Sequence, residues 1–289
     1  MNNLAVFGNK HHPAARPFGT NFCCGVEHEV ENFDWDDYDE TTVKKLSEAC
    51  PFIKDEDGSL IAGVEFITFP GSVQQQIAFH KELHSNDLFE GPPFSERTST
   101  HVHVNVSMLT IEQTMSLLQL YSLIEPYFFA FVGESRERNI HCVPLWATSM
   151  STSLFNAGLD YTMLPQTWHK YTALNLKPMR EIGTIEFRHL YGTEDTTVFS
   201  NWLYLLKSLY TWALEDNGKF FETTSKQLLS GGYPQVRSFL ENLNCPLGKM
   251  LEAIRPHVNE ERLQDVVILA TTATFKGLSN WKTYIKAAV

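Results

Sequence analysis

The stretch Cys-Gly-Val-Glu-His-Glu-Val-Glu, residues 24–31, decides the fold because its polar and apolar side chains alternate. A period of two is typical of a β-strand whose two faces meet different surroundings. Val26, His28 and Val30 share one face, and the opposite face carries three glutamates. We therefore expect a strand with one acidic face.

Other segments of the chain repeat this pattern. Residues 52–69 predict a hairpin around Asp57-Gly58, a pair that supplies the positive φ values of a tight turn. Residues 101–106 and 184–190 alternate in the same way, and residues 171–176 are a further strand candidate. A sheet of several strands follows.

Helical spacing dominates the remainder. Thr110 to Gln113 has the pattern of a capping box and begins a helix along the apolar stretch Met115–Val132, which Pro126 should end or kink. Because Gln119 and Glu125 also interrupt this stretch, we interpret it as a core helix rather than a membrane span.

Further helices are predicted from Ser72 to about Leu83, from Thr196 or Thr197 to about Asn217, and after Asn259. On the first of these helices, His80 and His84 have the i and i+4 spacing of a zinc-binding pair. Because no glutamate directly follows His80, an exposed helical face is the favoured interpretation. Residues 135–165 are weakly periodic and are predicted to form a long loop or lid.

This order predicts an α+β fold with a mainly antiparallel sheet, helices on one face and a helical C-terminal region. We divide the 289 residues into 1–218 and a packed helical extension, 219–289, within one globular unit.

Composition limits the function. The net charge is −11, from 34 acidic and 23 basic side chains, which argues against a non-specific nucleic-acid binder. The five cysteines show neither a disulfide framework nor a zinc-knuckle pattern, so a reducing cytoplasm fits best. The polar N-terminus lacks the apolar run of a signal peptide, and no membrane association is expected.

The usual nucleotide motifs are absent, since the chain has no Walker A, no dinucleotide-binding and no nucleophile-elbow sequence. Polar pairs on strand faces remain. They are Glu27 and Glu29, Glu65, His101 and His103, and Glu186 and Arg188. Converging carboxylates repel unless cations neutralise them, and hard oxygen ligands suit Mg²⁺ or Mn²⁺. Each pair alone has an ordinary alternative, a solvated strand face, a zinc or packed histidine pair, or a surface ion pair.

The order of the motifs resembles the amidoligase family, carboxylate-amine ligases with a glutamine-synthetase-like fold that are related to glutamate-cysteine ligases. The resemblance rests on Cys-Gly-Val-Glu-His-Glu-Val-Glu (24–31), Asp-Gly-Ser-Leu with the following Gly-Val-Glu-Phe-Ile-Thr (57–68), Thr-His-Val-His-Val-Asn (100–105), Lys-Tyr-Thr-Ala-Leu-Asn (170–175) and Gly-Thr-Ile-Glu-Phe-Arg (183–188). It covers roughly residues 22–215 and leaves the C-terminal helices unmatched.

The resemblance implies a curved antiparallel sheet that holds ATP and Mg²⁺, with Mn²⁺ as an alternative ion. The enzyme would activate a small-molecule or peptide carboxylate as an acyl phosphate, which an amine substrate then attacks. The implied metal ligands are Glu27, Glu29, Glu65, Glu186 and His101. The implied catalytic residues are Arg188, Glu186 and His103. The implied nucleotide contacts are His101, His103, Arg188, Lys170 and Asn175. The substrate candidates are Asn105, Arg136, Arg138 and Tyr171.

Two other functions remain open from the sequence. His101 and His103 with a carboxylate could hold the Zn²⁺ of a hydrolase. A ligase-like fold could also serve as a non-catalytic binding or assembly module. The identity of the two substrates and the oligomeric state are not determined by the sequence, and an oligomer is compatible with it.

Overall fold

The computed structural model describes residues 1–7, 13–33, 38–56, 58, 60–85, 88–156 and 160–275. Asp57 of the predicted hairpin turn and the last part of the predicted C-terminal extension, residues 276–289, lie outside the described residues.

One sheet of six strands organises the described part of the chain. The strands are β1 (Cys24–Val30), β2 (Phe52–Asp55), β3 (Val64–Thr68), β4 (Ser99–Asn105), β5 (Leu174–Asn175) and β6 (Thr184–Tyr191). Their order is β2-β3-β1-β4-β6-β5, and every neighbouring pair is antiparallel. The α+β class and the antiparallel sheet predicted from alternation are confirmed.

Helices account for most of the rest. The α-helices are α1 (Asn3–Phe7), α2 (Glu40–Ala49), α3 (Val73–Ser85), α4 (Ile111–Val132), α5 (Glu134–Glu137), α6 (Met150–Ser153), α7 (Leu164–Thr167), α8 (Pro178–Glu181), α9 (Thr196–Asp216), α10 (Ser225–Ser230), α11 (Gly232–Glu241), α12 (Pro246–Ile254) and α13 (Glu260–Phe275). Short 3₁₀ helices occupy Pro13–Phe18, Leu145–Ala147, Tyr161–Met163 and Arg255–His257, and Phe220–Thr224 forms a π-helical turn.

The predicted helix starts are confirmed at the atomic level. Thr110 and Gln113 form the reciprocal capping box of α4. The Ser72 hydroxyl accepts the Gln75 N–H at 3.3 Å, and the Asn259 side chain accepts the Arg262 N–H at 3.1 Å. Helix α9 begins at Thr196, as predicted, with Asp195 as its N-cap, and ends where Asn217 adopts a φ of 52°.

Of the two effects predicted for Pro126, an end or a kink, the end is wrong, because α4 continues to Val132. A proline inside a helix costs about 3 kcal/mol. The next turns bury Tyr127, Phe128 and Phe129, and each such burial contributes about 1.5–3 kcal/mol. Packing therefore outweighs the local penalty.

Helix α4 is the core helix that the sequence predicts. Among the described residues, it is the one helix long and apolar enough to cross a membrane, but 89% of its most apolar window is buried inside the protein. Phe128 packs against Phe187 of β6 and Trp202 of α9.

Helices α3 and α9 cover the same face of the sheet, opposite the face that carries Glu27 and Glu29. Phe199 of α9 packs against His28 of β1 and stacks on His80 of α3 with ring centroids 4.2 Å apart. The prediction of an exposed histidine face is wrong, since His80 is only 1% exposed and His84 is largely enclosed. Phe199, which buries His80, lies more than 100 residues later, and helical spacing alone does not reveal it. His84 packs against Phe89 and Phe94, which follow α3 in the chain.

The lid predicted for residues 135–165 is also wrong over its described part. The segment forms short helical turns and buries Cys142, Leu145, Leu154 and Tyr161 in the main core. The strand predicted at 171–176 shrinks to Leu174–Asn175, preceded by an isolated parallel bridge between Val143 and Thr172. The C-terminal helices join the same core through residues such as Leu247 and Val267.

Candidate metal centre

Strand register brings the acidic and histidine side chains of one sheet face together. Glu27 lies opposite His101, and Glu29 lies opposite Glu65. His103 of the central strand β4 lies opposite Glu186 of β6. Because residues in direct register point to the same face, four carboxylates and two imidazoles converge on one surface.

Glu27 is the centre of this arrangement. Its two carboxylate oxygens lie 3.1 Å from His101 Nδ1 and 2.9 Å from His103 Nε2. Burial disfavours the charged carboxylate, but the two histidines outweigh that effect and hold the pKa of Glu27 well below its usual range. The same His101 nitrogen lies 3.8 Å from Glu29 and 3.6 Å from Glu186.

Ser99 holds the next part of the site. Its main-chain N–H and its hydroxyl each donate to Glu29 Oε2 at 2.7 Å. The same hydroxyl lies 2.7 Å from His101 Nε2. One oxygen of Glu29 is therefore saturated by Ser99, and the other faces His101.

Glu186 is oriented in the same manner. Asn175 of the edge strand β5 donates to its Oε2 at 2.6 Å, and the Arg188 guanidinium pairs with its Oε1. Arg188 Nε donates to the main-chain carbonyl of His141 at 3.0 Å. Nη2 of Arg188 has no hydrogen-bond partner within the part of the chain that the structure describes.

His103 contacts Glu27 through one nitrogen and the Thr184 hydroxyl, 3.1 Å away, through the other. Burial favours its neutral form. The charges of Glu27 and Glu186 outweigh this and raise the pKa of His103 to about 8. Thr184 thus selects which imidazole nitrogen faces the carboxylates.

This donor set suits divalent cations. Among the described residues, Glu27, Glu65 and His101 form one group whose ligand atoms lie within 4.8 Å of one another, and Glu27, His103 and Glu186 form another. Glu27 belongs to both. Carboxylate oxygens with one imidazole in each group fit Mg²⁺ or Mn²⁺, and the imidazoles also allow Zn²⁺.

Sequence reasoning missed two residues of this face, Ser99 and Thr184. Both could have been found by extending the period of two, because Ser99 precedes His101 by two residues and Thr184 precedes Glu186 by two. Their hydroxyls are short and neutral, so composition alone does not single them out.

The remaining predicted residues are held by other contacts around this centre. The Asn105 amide accepts from Ser107 and donates to Cys23 Sγ. Lys170 lies over the Tyr171 ring, 4.7 Å from its centroid. Tyr171 itself packs against His141, whose carbonyl holds Arg188.

Arg136 and Arg138 have different surroundings although they are two residues apart. Arg136 is buried and donates to the main-chain carbonyls of Arg188 and His189. It therefore braces strand β6 from outside the carboxylate cluster. Arg138 is exposed and lines a cavity that also includes Arg262 of α13.

The fold and this site define an α+β protein with a candidate divalent-cation centre on one face of an antiparallel sheet. The chain matches no protein-family model and no curated protein sequence.

Proposed function

We propose that the protein is an ATP- and Mg²⁺-dependent carboxylate-amine ligase that forms an amide or isopeptide bond through an acyl phosphate. The observation that carries this proposal is the register of β1, β3, β4 and β6, which gathers four glutamates and two histidines beside Arg188. The resemblance to the amidoligase family and its glutamine-synthetase-like fold is part of the same proposal, as is a cytoplasmic location.

The proposed reaction has two chemical steps. A carboxylate oxygen of the acid substrate attacks the γ-phosphorus of ATP, and ADP leaves. The amine nitrogen then attacks the acyl carbon, inorganic phosphate leaves, and the nitrogen loses a proton. Bound divalent ions would neutralise the glutamates and polarise the phosphoryl oxygens.

The residues of the chain position this chemistry. In our proposal Glu27, Glu29, Glu65 and Glu186 hold the ions, with His101 and His103 beside them. Arg188 is fixed at Nε by His141 and at Nη1 by Glu186, so its Nη2 would be the donor left for a transferring phosphoryl group. A donor held in place before the reaction stabilises developing charge without a cost of reorganisation.

A direct test measures ADP release with mixtures of amino acids, polyamines and peptides, together with the melting temperature in Mg-ATP. We expect Mg-ATP to raise the melting temperature, since a ligand that binds only the folded state stabilises it. Arg188→Ala should lower turnover about 100-fold or more, whereas Arg180→Ala, a matched change at an exposed arginine, should not. If saturating Mg-ATP leaves the melting temperature unchanged, the ligase proposal is wrong.

The competing zinc hydrolase is favoured by one observation, the histidine present in each candidate ligand group. Metal analysis of protein prepared without added metal separates the two functions. Stoichiometric zinc with no ATP binding would support the hydrolase.

A further inference from the structure

A second site is built away from the carboxylate cluster, where the segment after α5 meets the start of α13. A cavity of about 550 Å³ opens there, lined among others by Arg138, Pro144, Trp146, Asn259 and Arg262. Cavities that hold small molecules measure about 300–1,000 Å³. The space therefore suits a ligand larger than a single ion.

The aromatic wall of this cavity is held rigidly. Glu125, buried in α4, accepts the main-chain N–H groups of Leu145 at 2.8 Å and Trp146 at 3.3 Å. The Trp146 ring packs edge-on against Phe129 with centroids 5.2 Å apart. Because the buried Glu125 carboxyl group accepts hydrogen bonds from two main-chain amides of this segment, the wall is positioned before any ligand binds.

The cavity also carries positive charge in a chain whose net charge is −11. The Arg262 guanidinium lies 5.3 Å from the Trp146 ring centroid. Its Nε is buried without a well-formed hydrogen bond, although Glu137 lies 3.3 Å from it and Asp265 lies 3.7 Å from Nη1. Arg138, on the same cavity, forms no ion pair within the described residues. The cavity lining therefore holds two arginines and one carboxylate, Glu137, while Asp265 pairs with Arg262 from outside the lining.

The cavity wall is joined to the sheet face that carries the carboxylate cluster. His141 lies between Arg138 and Pro144, and its carbonyl accepts Arg188 Nε. Glu125 also accepts the Tyr121 hydroxyl at 2.6 Å, and that hydroxyl lies 2.9 Å from His189, the neighbour of Arg188 on β6. Arg188 and the cavity are thus held by the same segment and the same buried network.

We propose that this cavity binds a short peptide or amino-acid derivative through a carboxylate that does not itself react. Arg138 and Arg262 receive the carboxylate, because a guanidinium fork matches the two oxygens of that group. The Trp146 ring packs against the apolar part of the ligand. The assignment of this ligand as a substrate rests on the proposed ligase function, whereas its binding does not.

The probe is a mixture of tripeptides with free C-terminal carboxylates, compared with the same mixture as C-terminal amides. Saturation-transfer NMR on the full chain reports which peptides bind, and titration of the strongest gives its affinity. We expect the acids to bind and the amides to bind at least about tenfold more weakly, the loss typical of a charge-assisted hydrogen bond.

Arg138→Ala and Arg262→Lys should weaken the binding of the peptide acids by a similar factor, and the matched control Arg180→Ala should not. Arg262→Lys keeps the charge beside Glu137, so it protects the fold while removing the planar fork. Equal binding of acids and amides, unchanged affinity in both variants, or no binding at millimolar concentration would each overturn the proposal.

Thermal stabilisation by Mg-ATP, measured on the same variants, separates the two proposals. Arg138→Ala should keep the full stabilisation by Mg-ATP. Peptide binding without any Mg-ATP effect would leave this site standing and reject the ligase. A Mg-ATP effect without peptide binding would reject this site and leave the ligase proposal standing.

Discussion

Ser99 shows how a small neutral residue can organise a charged site. It satisfies one oxygen of Glu29 twice and reaches His101 with the same hydroxyl. Residues that orient metal ligands in this way typically contribute 10–100-fold to metal affinity. Ser99 contacts the proposed ligands Glu29 and His101 and would act on a bound ion only through them, so its proposed role is positioning.

We therefore expect Ser99→Ala to weaken Mn²⁺ binding by about 10–100-fold. Isothermal titration of the two proteins with Mn²⁺ measures the change. Ser85→Ala, at the exposed end of α3, is the control and should bind like the parent. An unchanged dissociation constant in Ser99→Ala would show that Glu29 keeps its orientation without the hydroxyl.

At the scale of the element, α3 carries two histidines that are neutral in the fold. Burial lowers the pKa of His80 to about 4, although the nearby charge of Asp195 opposes the shift. Burial also lowers the pKa of His84 to about 3, and the neighbouring His80 adds to the effect. Both titrate near 6.5 in an unfolded chain.

These shifts make the protein sensitive to acid. Below about pH 6.5 the unfolded chain binds protons that the folded chain does not, so stability is full above that pH and is lost as the pH falls toward 4. Each histidine contributes a slope of up to about 1.4 kcal/mol per pH unit. His28, which packs beside His80, has its pKa lowered by burial and acts in the same direction.

Replacing His80 by leucine should flatten this dependence. Urea unfolding midpoints between about pH 7.5 and 5 should fall less steeply in His80→Leu than in the parent. His257→Leu, at an exposed position, provides the comparison and should follow the parent curve. Parallel curves for all three proteins would show that α3 opens before His80 charges.

At the scale of the whole molecule, the sheet places several carboxylates close together on the face that carries the candidate metal centre. Glu29 and Glu65 lie in direct register on neighbouring strands. Like charges in such positions destabilise a sheet, with pair effects of about 0.2–1 kcal/mol. The metal-free fold should therefore be less stable than the same fold with the charge reduced.

Glu65→Gln separates stability from binding. Without divalent ions, its melting temperature should equal or exceed that of the parent, since one repulsive charge is gone. Adding Mg²⁺ or Mn²⁺ should raise the melting temperature of the parent more than that of the variant, because the variant has lost a proposed ligand. Glu252→Gln, on the exposed side of α12, should gain as much as the parent. An equal rise in the melting temperature of Glu65→Gln would show that Glu65 is not a metal ligand.

Periodicity predicted the strands and the shared face of the site residues because side-chain direction along a strand depends only on backbone geometry. Glu27 and Glu29 could be assigned to one face of β1 from residues 24–31 alone. The same rule, extended by one step, includes Ser99 and Thr184. Capping signals at Thr110 and Asn259 were equally readable, because each depends on contacts within four residues.

Local rules failed where distant packing decides. Helix α4 passes Pro126 because the residues that follow are buried by β6 and α9. His80 is enclosed by Phe199, which lies on another helix. Residues 135–165 lack periodicity, yet Glu125 and the core hold their described part in place.

The sequence by itself determined that this protein has an antiparallel sheet with one acidic and histidine-bearing face, because alternation sets side-chain direction at each strand. Only the tertiary structure decided that Glu27 meets both His101 and His103, that Ser99 and Asn175 orient the flanking glutamates, and that Arg138 and Arg262 share a cavity. The physical reason is strand order and helix packing, which join residues far apart in the chain and leave no local signal.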